Sequence, residues 1–108
     1  MYAWPMTKAA RDVLAERKRQ INGERYTPEH DMAEHCNGEL ARAASCYALQ
    51  AVGLGDRRSA EPRGWPSGWV WKPKSPREDL VRAAALLLAE LERLDRLYEG
   101  KTDSQEKK

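Results

Sequence analysis

The chain has 108 residues, the size of one domain with a modest core. Charged residues make up 33% of it, but 19 basic against 17 acidic side chains leave a net charge of +2. That balance provides no polybasic surface and gives no support to a nucleic-acid partner. The two cysteines, Cys36 and Cys46, form neither a CxxC motif nor a secreted disulfide framework, so both read as reduced thiols of a cytoplasmic protein.

The start, Met1 to Met6, lacks a basic region followed by an apolar run. The longest apolar stretch, Ala83–Ala89, is far short of the ~20 residues of a membrane span. The expected location is the cytoplasm, with no membrane partner. Ala and Leu dominate the apolar residues, Phe is absent and β-branched residues are scarce. This composition predicts an all-α fold. The expected architecture is a small bundle of three main helices with a Trp/Pro-rich loop packed on it. One domain spans 1–100, and a polar tail, 101–108, reads as disordered.

The first helix is predicted over about 7–22. Thr7 is the N-cap and Gly23 the stop, and the inward stripe is Ala10, Val13, Leu14 and Ile21. Arg17 falls on that stripe, so its stem must be partly covered, and a covered guanidinium wants a carboxylate or phosphate partner. Thr27-Pro28 opens a short turn that runs to His35. A second helix is predicted over about 38–52, with Leu40, Ala43, Ala44, Tyr47 and Ala51 inward. Residues 53–75 form an irregular loop holding Trp65, Trp69 and Trp71. A loop of this length in a compact domain is usually functional or disordered, and three tryptophans argue for order. Leu54–Gly64 is expected to be mobile and Trp65–Pro73 to act as a lid on the helices.

The third helix has the clearest signals. Ser75 caps it, Pro76 takes the first position and Glu78 completes a capping box. Leu80, Ala84, Leu87, Leu91, Leu94 and Tyr98 recur at 4-3-4-3-4 and read as the inward stripe, widened by Val81, Ala85 and Leu88. Gly100 reads as the stop, which places the helix over about 76–99. An apolar face this wide exceeds what one partner helix covers. It predicts the tryptophan loop, a second subunit or both against it, and hence a homo-oligomer.

Few constellations carry chemistry. His30, Asp31, His35 and Glu39 form the densest polar cluster, with His35 four residues after Asp31. Imidazole with carboxylate can bind a metal or exchange protons, but the spacing is not a tight metal signature, and no metal or other cofactor is assigned. Glu92 and Asp95 have the ExxD spacing of all-α nucleotide pyrophosphohydrolases of the MazG type, but the matching ExxE pair is missing. These two carboxylates read as a solvated face paired with Arg93 and Arg96. Trp69, Trp71 and Lys72 sit together on the loop, where aromatics beside a lysine can stack a base and hold a phosphate. Phosphate loops, nucleophile triads and the dinucleotide fingerprint are absent, and no catalytic residue is assigned.

The run Glu16-Arg-Lys-Arg-Gln20, Tyr26-Thr-Pro-Glu-His-Asp31, His35, Gly38-Glu-Leu-Ala-Arg-Ala-Ala-Ser-Cys-Tyr-Ala48, Trp71-Lys-Pro73 and Asp79 to Asp95 resembles a family of small bacteriophage and prophage proteins. The resemblance covers Val13 to Arg96 and implies a helical fold in a host cytoplasm, with no assigned reaction. The chain departs from that pattern at Arg25 and Met32. The reading that follows is a phage binding protein rather than an enzyme, one that sequesters a nucleotide-derived ligand or host defence signal. Its expected ligand residues are Arg17, His30, Asp31, His35, Glu39, Trp69, Trp71 and Lys72. The alternatives are a protein inhibitor of a host defence enzyme and a metal-dependent nucleotide hydrolase.

Overall fold

A computed structural model describes residues 5–23, 38–54 and 61–105, with side chains as far as Glu99. The all-α class is as expected: the described residues form three helices and no strand. They are α1 (Lys8–Gly23), α2 (Glu39–Ala51) and α3 (Pro76–Gln105). None of them is long and apolar enough to cross a membrane. The turn expected from Thr27 to His35 lies outside the described residues, as does 55–60 of the segment expected to be mobile.

The helix ends follow from their sequences. Ala10 N–H donates to Thr7 Oγ1 at 3.1 Å, and Arg11 N–H closes the first helical bond on the Thr7 carbonyl. At α3, Glu78 N–H donates to Ser75 Oγ at 3.2 Å, and the Ser75 hydroxyl donates to Glu78 Oε1 at 2.8 Å. This is the reciprocal capping expected of Ser-Pro-x-Glu. α2 ends in a Schellman motif, with Leu54 N–H on the Leu49 carbonyl and Gly53 N–H on the Gln50 carbonyl.

α3 is the centre of the bundle, with α1 and α2 both packed on it. Between α2 and α3 the core is Leu40, Ala43, Ala44, Tyr47, Ala83, Leu86 and Ala89. Alanine on both sides lets the two backbones approach closely, which excludes water and gives each small side chain many dispersion partners. Trp65, Trp69 and Trp71 pack against this cluster, so the lid expected of the loop is present as packing.

Three details correct the sequence reading. The 4-3-4-3-4 stripe of α3 does not face its own domain: Leu80, Leu87, Leu91 and Tyr98 are exposed. The buried positions are Ala85, which was expected inward, and Asp79, Ala83, Leu86 and Ala89, which were not; three of the five are alanines, as a close helix contact favours. Gly100 does not stop α3, which runs on to Gln105. A helical glycine costs about 1 kcal/mol relative to alanine, a weak preference that the flanking helix overrides. In α1 the inward face is Arg17 and Gln20, with Leu14 turned to solvent.

Arg17 finds the carboxylate its position calls for. Its Nε donates to Glu92 Oε1 at 2.9 Å, and its Nη2 lies 2.7 Å from the same oxygen. Glu92 therefore ties α3 to α1 instead of forming a solvated pair with its helix neighbours, while Arg93 pairs with Glu90. The Arg17 side chain is 4% exposed and that of Glu92 38%. Removing the acid takes a short charged contact from a buried cation, whereas removing the arginine leaves a carboxylate that water can reach. Glu92→Ala should thus destabilise by about 1–3 kcal/mol, and Arg17→Met by clearly less. Urea denaturation of both variants checks the order, and equal losses would contradict it.

Candidate functional site

The loop before α3 is built from one short pattern used twice. Pro62-Arg-Gly-Trp65 and Pro66-Ser-Gly-Trp69 each fold as a turn. Trp65 N–H donates to the Pro62 carbonyl at 3.1 Å and Trp69 N–H to the Pro66 carbonyl at 3.3 Å. Gly64 and Gly68 occupy the third positions with φ of 88° and 85°, as a type II turn requires. Each turn therefore ends by delivering a tryptophan. The indole N–H of Trp65 donates to the Trp69 carbonyl at 2.8 Å, which locks the second turn onto the first. This tandem Pro-x-Gly-Trp pattern was available in the sequence and went unread there.

Tyr47 of α2 anchors the loop. Its ring stacks on Trp71, with centroids 4.8 Å apart, and meets Trp65 edge to face at 5.5 Å. Its hydroxyl accepts from Arg82 Nη1 at 3.1 Å and, more weakly, from Lys72 N–H at 3.4 Å. Arg82 also donates to the Lys72 carbonyl at 2.6 Å, and its guanidinium lies 4.9 Å from the Tyr47 ring centroid. The buried carboxylate of Asp79 accepts from Lys74 N–H at 2.8 Å, so the segment 72–74 is fastened at both ends. The Cys46 thiol donates to the Arg63 carbonyl at 3.7 Å. Burial pushes this thiol's pKa up, against the field of Arg42, so it is a packing group and not a nucleophile.

Loop, α1 and the first turns of α3 enclose a cavity of about 810 Å³. Its apolar parts include Tyr47, Trp65, Trp69, Val70, Val81 and Leu86. Five cations reach it, Arg19, Lys72, Lys74, Arg77 and Arg82, against three carboxylates, Asp12, Glu16 and Glu78. Two of the cations are engaged: Arg19 pairs with Glu16 and Arg77 with Asp12, at 2.7 and 2.9 Å. Lys72, Lys74 and Arg82 have no ion-pair partner among the described residues. Gln20, fully buried on the α1 wall, donates to Glu16 at 3.3 Å, while its own carbonyl oxygen has no donor among the described residues.

The carboxylates are tuned for staying ionised. Burial alone would raise the pKa of Glu16, but the hydrogen bonds and charge of Arg19, the Gln20 amide and the field of Arg82 outweigh it and hold the group below its ordinary range. Hydrogen bonds from Lys8 and Arg77 lower Asp12, and the Ser75 hydroxyl lowers Glu78. A general acid at neutral pH needs the opposite shift.

Two of the residues expected from the sequence to contact ligand, Trp69 and Lys72, line this cavity. Trp71 lies behind it, stacked on Tyr47. Arg17 is buried against Glu92, and Glu39 begins α2 away from the lining. His30, Asp31 and His35 lie outside the described residues. The sequence reading missed Arg19, Gln20, Lys74, Arg77 and Arg82. The first two were visible only as a solvated face, and the others only as the charged start of a capped helix. Among the described residues no three His, Cys, Asp or Glu side chains gather as a metal site would require.

No protein-family model, curated protein or solved structure matches this chain.

Two outcomes test this account. A Cβ at Gly68 would meet nothing within 4 Å, so Gly68→Ala isolates the strain of a positive φ. It should cost about 1–2 kcal/mol in chemical denaturation and raise the tryptophan emission wavelength as the loop loosens. A loss near zero would mean the turn is not held. For Glu16, the lowered folded-state pKa means its stabilisation is present above the ordinary glutamate range and is lost as pH falls through the lowered range. Melting of wild type and Glu16→Gln from ~pH 7 to ~pH 3 should show the wild-type advantage at neutral pH shrinking toward zero in acid. A gap that stays constant with pH would remove the ion pair from the explanation.

Proposed function

We propose that the protein binds a small phosphorylated, nucleotide-like ligand in the cavity between α1, the tryptophan loop and the N-terminal turns of α3. The observation that carries this reading is the set of cations Lys72, Lys74 and Arg82, with no carboxylate partner among the described residues, beside the aromatic wall of Trp65 and Trp69. The volume falls within the range of small-molecule sites, about 300–1,000 Å³. Cations without carboxylate partners suit phosphate oxygens, and an indole face suits a base. The unmatched carbonyl of Gln20 offers an acceptor to a base amino group.

Binding is favoured over turnover by the carboxylates. All three in the cavity are held ionised by neighbours, which does not suit a general acid and leaves them to orient a ligand and balance charge. A hydrolase of the MazG type would need Glu92 free to hold a metal, and Glu92 is committed to Arg17. The resemblance to small bacteriophage proteins supplies a purpose for tight binding without chemistry: sequestration of a nucleotide-derived signal made by the host.

Calorimetry of the full chain against nucleoside mono-, di- and triphosphates and cyclic dinucleotides, with inorganic phosphate as control, tests the reading. At least one nucleotide should bind with Kd well below ~1 mM, more weakly as salt rises. Lys72→Ala with Lys74→Ala should weaken it at least about tenfold, or ~1.4 kcal/mol, with the helical content unchanged. No heat with any nucleotide at ~1 mM would sink the proposal.

A further inference from the structure

The exposed stripe of α3 needs an account of its own. Leu80, Leu87, Leu91 and Tyr98 are 47%, 48%, 57% and 56% exposed, and Ala84 and Leu94, partly exposed, continue the same line. At 100° per residue these six positions fall within an arc of about 80°. That is narrower than the ≳100° face of a helix packing into a globular core, and it matches an a/d seam of 4-3-4-3-4 spacing. The opposite side of α3 is occupied by α1 and α2, so this stripe is apolar surface that its own described helices do not cover.

We propose that α3 pairs along this stripe with the same stripe of a second copy of the chain, the two helices antiparallel about a two-fold axis near residue 89. Three observations favour this occupant. The stripe is self-complementary in size: a two-fold there sets Leu80 against Tyr98 of the second copy, Ala84 against Leu94 and Leu87 against Leu91, so its one small residue meets a large one. A parallel pairing would set Ala84 on Ala84 and leave a gap. The area also fits. The four large side chains leave roughly 400 Å² uncovered, at the size where apolar patches mark interaction sites. The partly exposed Ala84, Leu88 and Leu94 add to this, which brings the seam to the low end of specific interfaces, short of the ~800 Å² per partner of a standard complex. Finally, α3 has 30 residues against 16 in α1 and 13 in α2. It is longer than those two helices together, and a helix gains most of its stability from packing along its length.

The cavity draws on the neighbouring arc of α3, through Arg77, Glu78, Val81, Arg82 and Leu86, and none of the six stripe residues lines it, so the pairing can be tested apart from the ligand proposal. Sedimentation equilibrium of the full chain should give twice the 12.3 kDa monomer mass at micromolar concentration. Leu87→Glu with Leu91→Glu should give a monomer whose helical circular dichroism is retained, whereas Leu14→Glu, at an exposed leucine of α1, should leave the dimer intact. A wild-type monomer at several hundred micromolar, about a hundredfold above a typical working dimer constant, overturns the proposal, as does a dimer that survives the double substitution. Cysteine cross-linking fixes the direction. Leu80→Cys together with Tyr98→Cys should link two chains where neither single variant does, and linkage by Leu80→Cys alone would overturn the antiparallel pairing.

Discussion

Tyr47 is the point at which the three parts of this molecule meet. Its side chain leaves α2, its ring stacks on a loop tryptophan and its hydroxyl accepts from Arg82 of α3 and the backbone of Lys72. A loop rich in proline and glycine has little helical or strand pairing to hold it and must be ordered by side-chain contacts. Here two type II turns present the tryptophans, and the tyrosine gathers two of them into one aromatic cluster. Without that anchor the segment 69–74 would have no fixed relation to α1, and the cavity would lose a wall. The buried Asp79 works at the other end of the same segment, so the loop is clamped between two side chains of the helical core.

The electrostatics follow from that clamp. Segment 72–74 enters α3 at its N-terminus, where the helix dipole and cap favour negative charge, yet the local side chains are Lys72, Lys74, Arg77 and Arg82. The Asp79 carboxylate and the Ser75 hydroxyl accept from backbone N–H groups there, and Asp12 takes Arg77. Lys72, Lys74 and Arg82, without an ion-pair partner among the described residues, face a partly apolar cavity. An excess of positive charge held there, at a helix start and beside indole rings, attracts an anion with a flat apolar part. The physical content of the ligand proposal lies in this surplus and not in any single residue.

Much of the fold was legible in the sequence, and the reason is local. Thr7 and Ser75 act through contacts three residues away, and Leu40, Ala43, Ala44 and Tyr47 keep strict helical spacing against one neighbour. The face of α3 was not legible. This helix is apolar over most of its circumference, so spacing alone marks an apolar arc without saying which side meets its own domain. Size decided it: alanines took the close contact with Ala43 and Ala44, and the leucines went outward. The site was half legible for a related reason. Trp69 and Lys72 stood out by composition, but Arg19, Gln20 and Arg82 reach the cavity only because the loop folds back over α1 and α3, a non-local event with no sequence period. Arg17 was singled out correctly as a covered cation that needs an acid. Which acid it takes, Glu92 at 75 residues' separation, is likewise a tertiary fact.

The outward leucines and the inward alanines are two consequences of one choice. Packing α2 against Ala83 and Ala89 gives a close core, in which Leu86 is the one leucine of α3 that is buried. The large side chains of the stripe sit elsewhere on the helix, on one arc at seven-residue spacing instead of scattering. Scattered exposed leucines are ordinary on a small domain. A continuous seam is different, because it exposes a contiguous surface that water penalises along the whole helix. A chain of this size has little core to offset that penalty. Pairing of the seam with its own copy would remove the penalty and give the long third helix the support that its two short neighbours lack.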